Sequence, residues 1–228
     1  MILYAIPTPL GGPAANALAP SALQTVATLK DFAVENAKSA RAFLKDAGCD
    51  VQALSIIEIK DDIRSLLQPL REGRPLGLLS EAGCPAIADP GAALVDAAHR
   101  EGFRVVPLVG PSAIALALMA SGLEGQRFAF CGYLPREPLK RKMRVKELEN
   151  RSLREDETEI FIETPYRNEA MLASLLETCR ETTRLCVAAD LTLPTENISV
   201  RTIKEWRRAH AEIGRRPAVF LFLAKSDR

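Results

Sequence analysis

The chain has 228 residues, 47% of them hydrophobic and 26% charged, a length and composition that suit one large or two small domains with a sizeable core. A formal net charge of +1 excludes a global field drawing the protein to nucleic acid or membrane, so any attraction to RNA has to come from a local patch. Ile2 to Ile6 reads as a short buried strand, ended by prolines at 7, 9 and 13 that forbid a helix there. Ala19-Pro20-Ser21 starts a helix, with proline near its first turn. Phe32 to Glu35 is a strand, and Ser39 to Ala47 a helix stopped by Gly48. Asp61 to Arg71 has Ile63, Leu66, Leu67 and Leu70 on one face and is predicted to be an amphipathic helix. Leu76 to Leu79 and Val105 to Leu108 are strands, each emptying into a loop rich in small residues and proline, and the helices Ala92–Arg100 and 112–120 follow them. Strands alternating with helices predict a mostly parallel sheet, and open sheets of that kind bind ligands at the carboxyl ends of their strands.

A composition shift near Ser121-Gly122 predicts a boundary there, giving an N-terminal α/β domain over 1–121 and a C-terminal α/β domain over 122–228. Phe128 to Tyr133 starts the second part as a strand. From Arg136 to Arg154 there are eight positive and three negative side chains, a net +5, making this run the best RNA-binding candidate. Then come strand Ile160 to Glu163, helix Asn168 to Cys179, strand Leu185 to Ala189, the segment Thr195 to Arg201, helix Ile203 to His210 and a last strand, Ala218 to Ala224. Five dispersed cysteines without a C-x-x-C pair argue for a reducing compartment and against a disulfide framework or zinc site. No apolar run approaches the roughly 18 residues of a membrane span, and Met1 to Leu10 lacks the parts of a signal peptide. A cytoplasmic α/β protein without a membrane partner is therefore expected. No metal-ligand cluster or Ser-His-Asp set is visible, and His99 and His210 read as solvated helix positions.

Five segments, in order, carry a resemblance. They are Leu3-Tyr4-Ala5-Ile6-Pro7-Thr8-Pro9-Leu10-Gly11, Ser80-Glu81-Ala82-Gly83-Cys84-Pro85 with Asp89-Pro90-Gly91, Val106 to Ala113, Tyr133-Leu134-Pro135-Arg136, and Glu163-Thr164-Pro165-Tyr166-Arg167. Together they resemble the tetrapyrrole methylase superfamily of S-adenosylmethionine (SAM) methyltransferases, and within it those members that methylate a ribose 2′-oxygen of small-subunit ribosomal RNA. The resemblance implies two α/β subdomains with SAM as co-substrate in the cleft between them, and a homodimer. Carried over by position, the cofactor bed is Leu10, Glu81, Cys84, Ser112, Ala113, Thr164, Ala189, Pro217 and Ala218. Small residues there would let main-chain groups approach the ligand closely.

The chain also departs from the family pattern. Glu81 stands where the family has Asp, Cys84 where it has Thr, and Asn36 where its A-E-D-T-R segment has Asp. Glu35 and Arg41 match that segment and Lys38 keeps a positive charge, so these three are the catalytic candidates: a carboxylate after a strand, and two cations one helical turn apart that could grip a phosphate. The RNA-contact candidates are Arg136, Lys140, Arg141, Arg144 and Arg167, with Tyr166 beside the last as a base-stacking or packing side chain. The kept cofactor residues and altered Glu35–Arg41 segment suggest a paralogue with a shifted or weakened acceptor. Two alternatives stay open: methylation of a small molecule such as a tetrapyrrole, and a non-catalytic SAM-binding protein.

Overall fold

A computed structural model describes residues 1–60, 62–209 and 212–225. The chain divides into two compact units, Met1–Ser112 and Ala113–Arg228. The first contains β1 (Ile2–Ile6), α1 (Ala14–Ala17), α2 (Pro20–Thr28), β2 (Asp31–Val34), α3 (Ala37–Asp46), β3 (Ser55–Glu58), α4 (Gln68–Arg71), β4 (Leu76–Leu79), α5 (Ala92–Arg100) and β5 (Arg104–Pro107). Its five strands form one sheet in the order β3-β2-β4-β1-β5, parallel throughout.

Alternation along these strands explains the layering. Ile6, Phe32, Val34 and Leu79 point to one face and pack with Leu18 and Val26 of the α1–α2 region and Phe43 and Leu44 of α3. Leu3, Ala33, Leu76 and Leu78 point to the other, against Leu66, Leu67 and Leu70 and against Leu94 and Ala98 of α5. Strands covered on both faces read as the continuous apolar runs seen in the sequence. Gly77 faces Phe32 across the β2–β4 pair, and a Cβ on it would come within 2.6 Å of the Phe32 ring, so the large ring lies over a position that must lack a side chain.

The second unit contains α6 (Ala113–Ser121), β6 (Phe128–Tyr133), α7 (Pro138–Glu155), β7 (Thr158–Glu163), α8 (Asn168–Thr178), β8 (Arg184–Ala189), β9 (Asn197–Thr202), α9 (Ile203–Ala209) and β10 (Ala218–Leu223). Its sheet runs β6-β7-β10-β8-β9. Only β6 and β7 are parallel; β10 is antiparallel to both β7 and β8, and β8 to β9. The expected mostly parallel sheet thus holds for the first unit and is corrected for the second. A short turn folds β9 back beside β8, and this connection is too short for a crossover. Phe161 and Phe220, paired across β7 and β10, stack at 5.6 Å beneath Val145 and Leu148 of α7, Met171 and Leu175 of α8 and Trp206 of α9. Helix α6 lies against β8, β9 and β10 and so belongs with the second sheet, one helix earlier in the chain than the composition shift at Ser121-Gly122.

Other differences are local. The predicted helix Asp61–Arg71 is a 3-10 turn, Ser65–Leu67, leading into the four-residue α4, which takes Pro69 in its first turn; Asp61 lies outside the described residues. Strand β3 was not anticipated: it is a short sheet edge whose residues are all at least partly exposed. Among the described residues no helix is long and apolar enough to cross a membrane.

Candidate active site

In the first unit the carboxyl ends of β1, β2, β4 and β5 carry most of the predicted site. The loops after β1 and β4 are joined by a reciprocal main-chain pair, Thr8 N to Gly83 O (2.9 Å) and Gly83 N to Thr8 O (3.0 Å). The Thr8 hydroxyl also donates to Ser80 O. Leu10 packs against Gly83, where an added Cβ would meet its Cδ2 at 3.4 Å. Between Ser80 and Gly91 the backbone turns left-handed at Gly83, Ala86, Ala88 and Gly91, and the two alanines hold conformations that the surrounding structure has to enforce.

Glu35 follows β2, and its Oε2 accepts from Glu81 N at 2.9 Å. The Ser39 hydroxyl, on the first turn of α3, reaches Glu81 Oε1 at 3.4 Å. Asn36 is the N-cap of α3, its Oδ1 accepting from Lys38 N (2.9 Å) and Ser39 N (3.2 Å). Asp and Asn serve that role about equally, so the replacement of Asp at this position is compatible with an intact segment. Lys38 and Arg41 are exposed on α3, and Arg41 donates back to Ala37 O. Asp89, partly buried on the same loop as Glu81, has its carboxyl pushed up to about 6 by burial and by the neighbouring Glu35 and Glu81 carboxylates, against a hydrogen bond with Ser80. Asp89 lies in the Asp89-Pro90-Gly91 motif, and its sequence signal is only a loop acid; the two carboxylates beside it come from the fold. The Cys84 thiol donates to Pro111 O at 3.4 Å and burial raises its pKa, which suits a packing role. Pro111 leads into Ser112, the last residue of this unit.

An open cavity of about 420 Å³ lies between the β1 loop and α3, lined by Thr8, Pro9, Gly11, Gly12, Pro13, Ala42, Phe43, Asp46 and Glu81. Val109 is 81% exposed after β5 and Ile87 50% exposed on the β4 loop, so both loops present apolar side chains to solvent.

In the second unit the sheet register assembles a further set. Ala218 at the start of β10 lies opposite Glu163, the end of β7, and opposite Ala189, the end of β8. Asp190 N donates to Pro217 O at 3.0 Å. Thr164 follows Glu163, whose Oε1 accepts from Thr164 N (2.7 Å), the Thr164 hydroxyl and Arg167 Nη2. Thr164, Ala189, Pro217 and Ala218 therefore share one sheet end, whereas Ala113 stands at the start of α6. Arg167 is tied inward, its Nε donating to Thr164 Oγ1 at 3.0 Å, and exposed Tyr166 lies under its guanidinium at 5.8 Å.

Helix α7 holds most of the basic run. Arg141 is only 5% exposed and donates to Ser174 Oγ and Arg136 O, which makes it a brace between helices and not a phosphate contact. Lys140 pairs with Glu137, Lys142 with Glu177, Arg144 with Glu147 and Lys146 with Glu149. The first three are exposed pairs, which hold weakly and exchange for other anions, whereas Glu149 is buried and also accepts from Arg180 N and the Thr183 hydroxyl. Among the described residues Arg136 forms no ion pair, and it is exposed. His99 is exposed at the end of α5, and His210 lies outside the described residues. Among the described residues no group of acids, histidines and cysteines is arranged to hold a metal ion.

Comparison with known proteins agrees with this architecture. The chain is similar to the methyltransferase CobJ (TM-score 0.66, 20% identity, covering 98% of this chain and 93% of that one) and to uroporphyrin-III-C-methyltransferase from Thermus thermophilus (TM-score 0.59, 19% identity, 97% and 94%), likenesses that show the fold. In sequence it is 34% identical over 208 residues to ribosomal RNA small subunit methyltransferase I of Haemophilus influenzae, covering 90% of this chain and 71% of that protein. It is 32% identical over 206 residues to the Vibrio cholerae protein of the same name, covering 90% and 69%. The profile of the family described as Tetrapyrrole (Corrin/Porphyrin) Methylases matches residues 3–206. The chain therefore belongs to the tetrapyrrole methylase family and is a methyltransferase.

Proposed function

We propose that this methyltransferase transfers the methyl group of SAM to a ribose 2′-hydroxyl of small-subunit ribosomal RNA. The observation that carries the reading is the likeness, along 90% of the chain, to proteins named for methylating that RNA. The loops suit SAM: the carboxylates of Glu81 and Asp89 complement its sulfonium and ammonium charges, and Val109 and Ile87 offer apolar surface. By the family resemblance, Leu10, Cys84, Ser112, Ala113, Thr164, Ala189, Pro217 and Ala218 are the other residues assigned to SAM.

SAM supplies an activated methyl, and transfer is an in-line displacement whose rate depends on alignment. The acceptor hydroxyl has to give up a proton, and a base with a pKa near the working pH is best suited to take it. Asp89, at about 6, is ionised at neutral pH yet more basic than an ordinary carboxylate, and we assign it that proton. Lys38, Arg41 and Arg136 are exposed and suited to meet acceptor phosphates, and Lys140 and Arg144 meet them once RNA displaces Glu137 and Glu147. Helix α6 is apolar on every side, yet only Ala117 and Ser121 are buried and Met119 is 80% exposed. Such a helix calls for a cover, and a second copy of the chain supplies a matching apolar face. A cytoplasmic location follows from the proposed substrate.

The test is transfer of labelled methyl from SAM to small ribosomal subunits from cells lacking this protein. Label in the RNA supports the reading. Label appearing only in a small-molecule acceptor, or none while SAM binds, refutes it. Sedimentation of the free protein as a monomer would refute the dimer.

A further inference from the structure

Strands β2 and β4 are parallel neighbours, with Val34 opposite Leu79. Their ladder runs one residue further, Glu35 N donating to Leu79 O at 3.0 Å. Beyond that point the two chains part, β2 into α3 and β4 into the loop carrying Glu81 and Asp89. The next amide on the β4 side, Glu81 N, takes its acceptor from the Glu35 carboxylate instead of from main chain. A carboxylate side chain thus replaces the missing rung. The Ser39 hydroxyl, which donates to Asn36 O at 3.1 Å, also lies 3.4 Å from Glu81 Oε1, and Asn36 fixes Ser39 by capping α3.

The loop is also tied to its neighbours by the Thr8–Gly83 pair, by the Thr8 hydroxyl on Ser80 O and by the Cys84 thiol on Pro111 O. Between Gly83 and Gly91 it carries left-handed Ala86 and Ala88, conformations that unbraced alanines abandon. With the Glu35 tie cut, the loop stays held at Ser80 and Gly83, and the Glu81 main chain between them loses its link to the β2 segment.

We infer that Glu35 is a positioning residue: its carboxylate anchors the Glu81 amide and so sets the β4 loop in its SAM-binding shape, acting on cofactor affinity through Glu81 and without touching the transferred methyl. This rests on the SAM reading above. It differs from the role a strand-end carboxylate first suggests, that of a group acting directly on the acceptor.

The experiment compares wild type, Glu35→Ala and Glu35→Gln. SAM binding is measured by calorimetry, KM and kcat by methyl transfer, and exchange of the Glu81 amide by NMR. Glutamine keeps an oxygen acceptor in the same place, so it rescues a positioning role but not a charge-dependent one. A lost charge-assisted hydrogen bond predicts SAM affinity about tenfold weaker in Glu35→Ala, with kcat within about threefold and Gln restoring affinity to within about threefold. The Glu81 amide is slow to exchange in wild type and Glu35→Gln, and fast in Glu35→Ala. Unchanged affinity in Glu35→Ala, or a collapse of kcat at unchanged affinity, overturns the inference, as does a Gln variant as impaired as Ala. If wild type itself fails to bind SAM, the SAM reading falls, and amide exchange still decides whether Glu35 anchors the loop.

Discussion

Replacing Gly110 by alanine tests the packing that ties the β5 loop to β1. A Cβ at this position would lie 2.5 Å from Pro7 Cβ and 2.8 Å from both Pro7 Cγ and Leu18 Cδ2. Carbon atoms rest at about 3.5–4.0 Å, so something has to move by about 1 Å. Neither neighbour yields easily: Pro7 is buried with its ring closed onto the main chain, and Leu18 is 4% exposed within the core. Overpacking of this kind costs about 1–3 kcal/mol, and two rigid, buried neighbours place Gly110→Ala near the upper end, at about 3 kcal/mol. For a chain of this size that is a fall of about 6–12 °C in the melting transition of the first unit. Gly125→Ala is the control. Its Cβ would meet nothing within 4 Å and its φ is not left-handed, so its stability stays within about 0.5 kcal/mol of wild type. Thermal unfolding followed by circular dichroism, with urea titration, reads both. Equal midpoints for Gly110→Ala and Gly125→Ala would mean that the β5 loop is not pressed against Pro7.

The raised carboxyl of Asp89 gives a pH dependence with a definite sign. Its folded value of about 6 exceeds the ordinary 3.8, so folded protein binds the extra proton more tightly; the stability this confers is present below about pH 4 and is lost as pH rises through 6. Asp89→Asn, which never ionises, should be more stable than wild type at pH 7 by about 1 kcal/mol after discounting for solvent screening, and equal to it near pH 4. The same variant should lower kcat by about a hundredfold or more and erase the acid limb near pH 6, measured in a methyl-transfer pH profile. Asn36→Asp should leave the cap and activity intact, whereas Asn36→Ala should cost about 1 kcal/mol in unfolding experiments. Replacing Lys140 and Arg144 by alanine, with Arg141 kept as a brace, should weaken RNA binding and lower the slope of log affinity against log salt by about 0.7 per lost phosphate contact on single-stranded RNA, while SAM affinity stays unchanged.

The first unit was legible because its strands are buried on both faces: Ile2–Ile6 and Leu76–Leu79 read as apolar runs whose flanking Pro and Gly mark the loops. Edge strand β3 was not, since Ile57 points to solvent and the segment is short. In the second unit the alternation of strand and helix concealed antiparallel pairing, and with it the register that aligns Glu163, Ala218 and Ala189. Local motifs marked Glu81, Cys84 and Thr164. The link from Glu35 to the Glu81 amide spans 46 residues and depends on β2 lying beside β4, which only the sheet order reveals. Charge counting treated the run from Arg136 to Arg154 as one patch, but Arg141 turns inward to Ser174 and Lys142 meets Glu177 on another helix. Such partners are remote in sequence, so the tally overstated the free positive field.

Mapping the position of a transferred methyl decides whether the acceptor is a ribose hydroxyl of small-subunit ribosomal RNA. RNA labelled by this protein from methyl-labelled SAM is hydrolysed with alkali, which cleaves beside a free 2′-hydroxyl and spares a methylated one. Ribose methylation leaves the label in an alkali-resistant dinucleotide from the small-subunit RNA. Label released in a single nucleotide, as base methylation would give, or found outside RNA altogether, would contradict it.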